Sequence, residues 1–273
     1  MVKVGDLLRL FPADEPLVVA FSGGVDSTLV AFLAWKRNPA GTLAVTVASP
    51  LSAAREVERA RELAKALGIP HLELELDELT DRRVAENHPL RCYYCKRLRC
   101  LALLEVANGR GAGVVMDGSN ADDAIQDRPG RKAAAELGVR SPLEEAGLGK
   151  EDIRRLAREL DLPNWDAPSK PCLATRFPVG HPLRLEEIRR VEAGEYLLEE
   201  AGFREFRLRS PEPGVALLEI SREEMALLRQ GKMVGPIVSG LKGMGFHAVL
   251  LDLDGYRSGS MERLEDRRLE VLG

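Results

Sequence analysis

The chain has 273 residues, 45% of them hydrophobic and 30% charged, with a net charge of −4. This supply of apolar residues supports a packed core and excludes an intrinsically disordered chain, and the slight acidity argues against a general nucleic-acid binder. No apolar run reaches membrane-spanning length, and the opening MVKVGDLLRLF is too short and too charged for a secretory signal, so a cytoplasmic location with no membrane partner is expected.

Residues 16–21 (PLVVAF) are a short apolar run of the kind expected for a buried parallel strand. A glycine-rich turn follows, and residues 28–36 read as a helix. Residues 42–48 (TLAVTVA) read as a second strand. Val57, Ala60, Leu63, Ala64 and Leu67 recur at helical spacing, with Gly68 as the stop. HLELEL is a third strand. A helix running to about residue 108 follows CYYC, and AGVVM is a fourth strand. Ile153, Leu156, Ala157 and Leu160 mark another amphipathic helix. Strands alternating with helices predict an α/β fold with a Rossmann-like, doubly wound parallel sheet. Residues 163–182 are rich in proline and read as irregular. Beyond them, helices over 184–201 and 222–229 and strands over 203–209, 214–220 and 246–252 predict a smaller C-terminal α+β domain. The boundary is set near residue 170, giving domains 1–170 and 171–273, the second for substrate binding or oligomerisation.

Ser22-Gly23-Gly24-Val25-Asp26-Ser27 joins the first strand to a helix. Two glycines let the backbone turn tightly and approach a ligand closely. The helix N-terminus adds unpaired N–H groups and positive dipole, which suits a pyrophosphate. Ser22 and Ser27 add hydroxyl donors, and Asp26 can hold Mg²⁺. No Walker lysine follows. Asp117-Gly118-Ser119-Asn120-Ala121-Asp122-Asp123 follows the fourth strand, at a position where Rossmann-like sheets form their sites. Asn120 or Asp123 can ligate metal or orient substrate; an Asx-rich turn capping the next helix uses the same residues.

Cys92 and Cys95 form a C-x-x-C flanked by Lys96, Arg97 and Arg99, and Cys172 lies far along the chain in KPCLATR. Basic neighbours favour thiolates, the form that attacks or binds metal. Three thiolates can hold a [4Fe-4S] cluster with one open iron. Zinc would take Cys100 or His88 as a fourth ligand, and a redox disulfide in C-x-x-C is a third option. In FREFRLR, Arg207 and Arg209 share one strand face, as Glu219 does with Val215 and Leu217 in GVALLEI. Glu195 falls on the apolar side of its helix, where a carboxylate needs a partner.

SGGVDS resembles the signature of the PP-loop ATP pyrophosphatases. This implies cleavage of ATP between its α and β phosphates, adenylation of an oxygen on the acceptor, and adenine lying close to Ala48 and Gly118. RCYYCK, DGSNADD, GRKAAAELGVRSPLEEAGLGKEDIR, WDAPSKPCLATRFPVG and GFHAVLLDLDGYRSGSM together are similar to the LarE family over nearly the whole chain. That resemblance implies ATP-dependent sulfur transfer to a carboxylate of a pyridinium dicarboxylate mononucleotide, in the synthesis of the nickel-pincer cofactor. It implies Cys172 as sulfur donor in sacrificial members, and a [4Fe-4S] cluster on Cys92, Cys95 and Cys172 in members that keep C-x-x-C. It makes Glu195, Arg207, Arg209 and Glu219 candidates for the substrate pocket or the subunit interface. Arg176, Asn120 and Asp123 are counted with them as candidate substrate ligands, and a homo-oligomer is the expected assembly. One departure stands out: where the family tends to read A-R-I-E, this chain has Ala216-Leu217-Leu218-Glu219.

Rival readings are a tRNA thiolase, which needs an RNA-binding surface; an amidating ligase, which needs a glutaminase partner; and a non-catalytic adenine-nucleotide sensor.

Overall fold

A computed structural model describes residues 4–125, 129–168, 170–229 and 233–257. They divide into two compact units. One runs to Val84 and resumes over Leu90–Lys170; the other holds Ala85–Pro89 and the described residues from Pro171 onward.

The first unit is built on four parallel strands: β1 (Leu17–Ala20), β2 (Thr42–Ala48), β3 (His71–Glu75) and β4 (Val114–Met116), in the order β3-β2-β1-β4. Alternation along β1 sends its side chains into two separate cores. Leu17 and Val19 pack with Leu29, Val30 and Leu33 of helix α1 (Val25–Arg37), Ala60 and Ala64 of α2 (Ala54–Leu67), and Ile153 and Leu156 further on. Val18 points the other way, to Cys100, Leu103 and Ala107 of α3 (Arg91–Gly109) and Ala134 of α4 (Pro129–Glu136). Ile153 and Leu156 belong to α5 (Lys150–Glu159). Helices therefore cover both faces, and the sheet is doubly wound as the alternating pattern predicts.

β1 lies between β2 and β4, so the chain order reverses beside it. In open α/β sheets the crevice for a ligand opens at the carboxyl ends of strands at such a switch point. SGGVDS leaves β1 and DGSNADD leaves β4, so both loops emerge there.

The second unit has three strands, β5 (Phe206–Arg209), β6 (Val215–Ile220) and β7 (Ala248–Leu251). β5 runs antiparallel to β6, and β7 parallel to it. Helices α6 (Leu185–Glu200) and α7 (Val234–Gly243) pack together, and α6 also packs on β5. The segment Ala85–Pro89 joins this unit because buried Asn87 donates to the Pro178 carbonyl at 2.6 Å and accepts from Gly180 N at 2.9 Å.

Two features differ from the sequence expectation. C-x-x-C lies inside α3, not ahead of it, because Arg91 opens the helix two residues after Pro89. Helix α7 has no counterpart in the sequence reading: VGPIVSGLKG holds three glycines and a proline, yet Ile237 and Leu241 are buried and packing overrides propensity.

Candidate functional site

The phosphate loop is organised by its own serines. Ser27 Oγ lies 3.0 Å from Ser22 Oγ, accepts from Ser22 N at 3.2 Å and donates to the Gly24 carbonyl at 3.1 Å. Gly23 has a φ of +73°, and a Cβ there would lie 3.1 Å from both Cα and Cβ of Ala60. The loop thus needs glycine for backbone sign and for space. Ser22 and Gly24 are exposed, facing outward from the helix N-terminus.

The second loop lies directly on this helix start. A Cβ on Gly118 would sit 2.7 Å from Ser27 N and 3.1 Å from the Asp26 carbonyl carbon. Asn120, fully buried, donates through Nδ2 to Asp26 Oδ2 at 2.8 Å, while its Oδ1 accepts from Asp122 N at 3.0 Å and Asp123 N at 3.2 Å. The Asx turn is formed, and it fixes the amide that holds Asp26. Lys150 Nζ, at the start of α5, reaches the same Asp26 oxygen at 3.1 Å, and its backbone N–H is held by Asp122 Oδ2 at 2.8 Å. Ala48 closes β2, its carbonyl accepting from Leu76 N at 3.0 Å.

Asp117 ties the second loop to the C-x-x-C helix. It accepts from Lys96 Nζ at 2.6 Å, Ser141 Oγ at 2.7 Å, and both N and Oγ of Ser119 at 3.1 and 3.0 Å. Burial opposes both charges, but their mutual attraction and hydrogen bonds win. The Lys96 pKa lies above the ordinary lysine value and that of Asp117 below the ordinary carboxylate value, so the pair is ionised.

On α3, Cys92 and Cys95 are one turn apart, with Lys96 and Arg99 on the same stripe. Cys92 is exposed and Cys95 half-buried. Arg91 Nη2 approaches Cys92 Sγ at 3.5 Å, and Cys95 Sγ approaches Glu78 Oε1 at 3.8 Å. Glu78 is fully buried and accepts from Arg99 Nε at 2.6 Å; Arg99 Nη2 also donates to Ser49 and Ser52 at the end of β2. Cys100 is a core residue whose burial pushes its thiol pKa up. Among the described residues, no group of three or more His, Cys, Asp and Glu side chains is gathered for a metal ion.

In the second unit, Cys172 precedes the 3₁₀ turn Leu173–Arg176 with its thiol half-buried. Its carbonyl accepts from Thr175 Oγ1 at 2.9 Å and Arg176 Nη1 at 3.3 Å. Buried Arg176 forms a two-pronged pair with Glu195 at 2.8 and 2.9 Å, which is the partner that carboxylate requires. Buried Arg209 pairs with fully buried Glu219 at 3.0 Å and donates to the Thr175 carbonyl at 2.7 Å. The charge of Arg209 is thus balanced within the protein by Glu219. Arg207 lies across from Glu219 in the β5–β6 register, stands 4.9 Å over the Tyr256 ring, and has its pKa lowered by burial and by the nearby Arg176. Leu217 lies directly across from Arg209, so the departure from the A-R-I-E pattern falls beside the arginines.

Known proteins resemble the chain in both units. The family model for asparagine synthase matches residues 8–126, which contain the four-stranded sheet and both loops. An uncharacterised protein of Synechocystis sp. is 37% identical over 262 residues, 96% of this chain and 97% of that protein. The pyridinium-3,5-bisthiocarboxylic acid mononucleotide synthase of Lactiplantibacillus plantarum is 36% identical over 251 residues, 90% of this chain and 89% of that protein. The chain belongs to the LarE family. By contrast, the tRNA-specific 2-thiouridylase of Azorhizobium caulinodans is 32% identical over 226 residues, 67% of this chain and 56% of that protein.

Membership of the LarE family makes the chain a sulfurtransferase whose PP-loop domain adenylates its acceptor. Within this LarE-family chain the structure brings Asp26, Asn120 and Gly118 to one place, as the two motifs suggest. It adds Lys150, Glu78 and Asn164, which sequence reasoning missed, and it pairs Lys96 and Arg99, read from the sequence only as basic neighbours of the cysteines, with Asp117 and Glu78. No local pattern marks their partners: the side-chain contacts that bring them to the site span 17 to 141 positions of sequence. Arg176 and Arg209 were read as substrate ligands, and both brace the Cys172 turn.

Proposed function

We propose that this chain uses ATP to adenylate a carboxylate of a pyridinium dicarboxylate mononucleotide and converts it to a thiocarboxylate. The carboxylate oxygen attacks the α-phosphorus and pyrophosphate leaves. A sulfur nucleophile then attacks the acyl carbon, and AMP leaves. The observation that carries this reading is the meeting of SGGVDS and the Asp117–Asp123 loop at the switch point, with Asp26, Asn120 and Lys150 joined by hydrogen bonds. Asp26 offers a hard carboxylate at the phosphate-loop helix and suits Mg²⁺, which would supply charge stabilisation to the phosphates. Lys150 supplies the cation that SGGVDS lacks.

Product analysis tests the reading. AMP and pyrophosphate are expected, in a Mg²⁺-dependent reaction that Asp26→Ala abolishes; ADP as the main product would overturn it. Lys150→Gln is expected to raise the KM for ATP about tenfold, the worth of one charge-assisted hydrogen bond. Thiolation of tRNA in place of the mononucleotide would favour the thiouridylase reading.

The sulfur chemistry falls to the cysteines. Cys92, Cys95 and Cys172 would hold a [4Fe-4S] cluster, whose open iron would supply a binding place for the sulfur to be transferred. Two observations support the fit. The α3 thiols are one helical turn apart with Arg91 against Cys92, and the fourth cysteine is committed to the core. Arg207 is proposed to bind the acceptor phosphate. Around the Cys172 turn, Arg176 pairs with Glu195 and Arg209 with Glu219, and Arg207 lies close enough to Arg176 for the positive charges to repel, which suits this place to an anion. Arg207→Ala is expected to raise the acceptor KM about 10- to 100-fold, with ATP binding unchanged. Arg209→Ala is expected instead to cost about 3–5 kcal/mol of stability, by stranding buried Glu219. Thermal melts beside acceptor kinetics separate the two effects.

A further inference from the structure

Asn164 lies in the turn after α5, far along the sequence from either motif. We infer that it is a positioning residue that sets the phosphate loop in its anion-binding state, an inference that rests on the PP-loop reading above. One amide nitrogen serves two partners. Asn164 Nδ2 donates to the Gly23 carbonyl at 2.8 Å and to Thr28 Oγ1 at 3.0 Å, bridging the loop to the first turn of α1 across 141 and 136 positions of sequence. Asn164 Oδ1 is buried and has no hydrogen-bond partner. The reverse amide orientation would set that oxygen against the Gly23 carbonyl, acceptor against acceptor, so the observed orientation is the one that can form.

The turn that carries Asn164 is itself anchored. Leu162 is buried in the main core, Trp165 N donates to the Leu162 carbonyl at 3.2 Å, and Ala167 N donates to the Asn164 carbonyl at 3.0 Å. Arg154 Nη2 holds the Ala167 carbonyl at 2.9 Å. The side chain therefore works from a fixed base.

The consequence follows from peptide geometry. C=O and N–H of a planar trans peptide point in opposite directions. Fixing the Gly23 carbonyl toward Asn164 turns the Gly24 N–H to the opposite side. There it meets Ser22 Oγ at 3.4 Å, on the exposed face of the loop. Gly23 has the positive φ and little side-chain restraint, so without the amide its peptide can flip and present a carbonyl to the anion instead. Asn164 acts through Gly23 and need not touch the nucleotide.

The test measures binding to the full-length protein by calorimetry, with Mg²⁺–pyrophosphate and AMP as separate probes. In Asn164→Ala, pyrophosphate affinity is expected to fall about tenfold while AMP affinity stays within about twofold. Asn164→Asp, which puts a carboxylate against the Gly23 carbonyl, is expected to lose more. Thr28→Val removes only the second acceptor, and is expected to lower the melting temperature without a selective loss of pyrophosphate. Unchanged pyrophosphate affinity in Asn164→Ala would overturn the inference. Equal losses for both probes would also overturn it, because they would mark a merely structural role. If the wild-type protein itself fails to bind pyrophosphate, the PP-loop reading falls and takes this inference with it.

Discussion

Gly118→Ala is expected to abolish ATP-driven adenylation while leaving the protein folded. The added methyl would sit 2.7 Å from Ser27 N and 3.0 Å from Ser27 Cα, both backbone atoms of the phosphate-loop helix. Backbone cannot rotate away as a side chain can, so the loop after β4 must move. That movement draws Asn120 off Asp26, which it now holds at 2.8 Å. A misplacement of about 1 Å at a reacting site costs about 10²-fold in rate, and here the hold of Asp122 on Lys150 N, at 2.8 Å, moves with the same loop. ATP–pyrophosphate exchange reads the loss, and circular dichroism with a thermal melt checks the fold. Wild-type exchange in Gly118→Ala would show that the two loops do not act as one site.

Cys172→Ser is expected to separate the two half-reactions. The groups proposed to serve adenylation, Asp26, Asn120 and Lys150, all belong to the first unit. Serine can donate no sulfur and is a poor ligand for iron, so pyrophosphate should still be released while thiocarboxylate falls below detection. The turn itself should survive, because Arg176 and Thr175 grip the Cys172 carbonyl and not its thiol. Mass spectrometry of the wild-type protein after turnover distinguishes the sulfur sources. If Cys172 is sacrificed, attack by its sulfur on the acyl adenylate releases AMP. Loss of the Cα proton then breaks the Cβ–S bond, leaving dehydroalanine and freeing the thiocarboxylate. With the cluster, Cys172 stays intact over repeated turnovers supplied with sulfide. Anaerobically reconstituted protein should then be brown, and each of Cys92→Ser, Cys95→Ser and Cys172→Ser should lose the colour while Cys100→Ser keeps it. Full activity in a Cys92→Ser/Cys95→Ser variant, with dehydroalanine at position 172, would reject the cluster.

Much of the site was legible because it is local. SGGVDS encodes its own geometry within six residues: two glycines, two serines that bond each other, and a helix start. The Asp117–Asp123 loop is likewise an Asx turn written in consecutive residues. The apolar runs of β1 and β2 and the helical repeat of Ala60 and Ala64 announce a doubly wound sheet, since burial on both strand faces leaves no room for polar alternation.

Helix α7 and the start of α3 were not legible. Gly235, Pro236, Gly240 and Gly243 disguise the first, and no side-chain cap marks the second. Their helical state is decided by packing energy, which a local window does not contain.

The sequence by itself determined the strand–loop–helix order, the two loops at the strand ends and the thiols available for sulfur chemistry. Only the tertiary structure decided which charges meet. Lys150 was one unremarkable lysine until α5 brought it to Asp26. Lys96 and Asp117 became an ion pair only when the fold brought Nζ and carboxylate to 2.6 Å, and Asn164 came to bear on the phosphate loop only by closing on Gly23. Arg209, in the sequence one of two arginines on a strand face, became the partner of Glu219. The physical reason is common to all of them. Backbone preference and hydrophobic period act over a few residues and can be read from neighbours. A hydrogen bond or ion pair is a matter of about 3 Å in space, and the chain sets that distance only once every layer of the fold is in place.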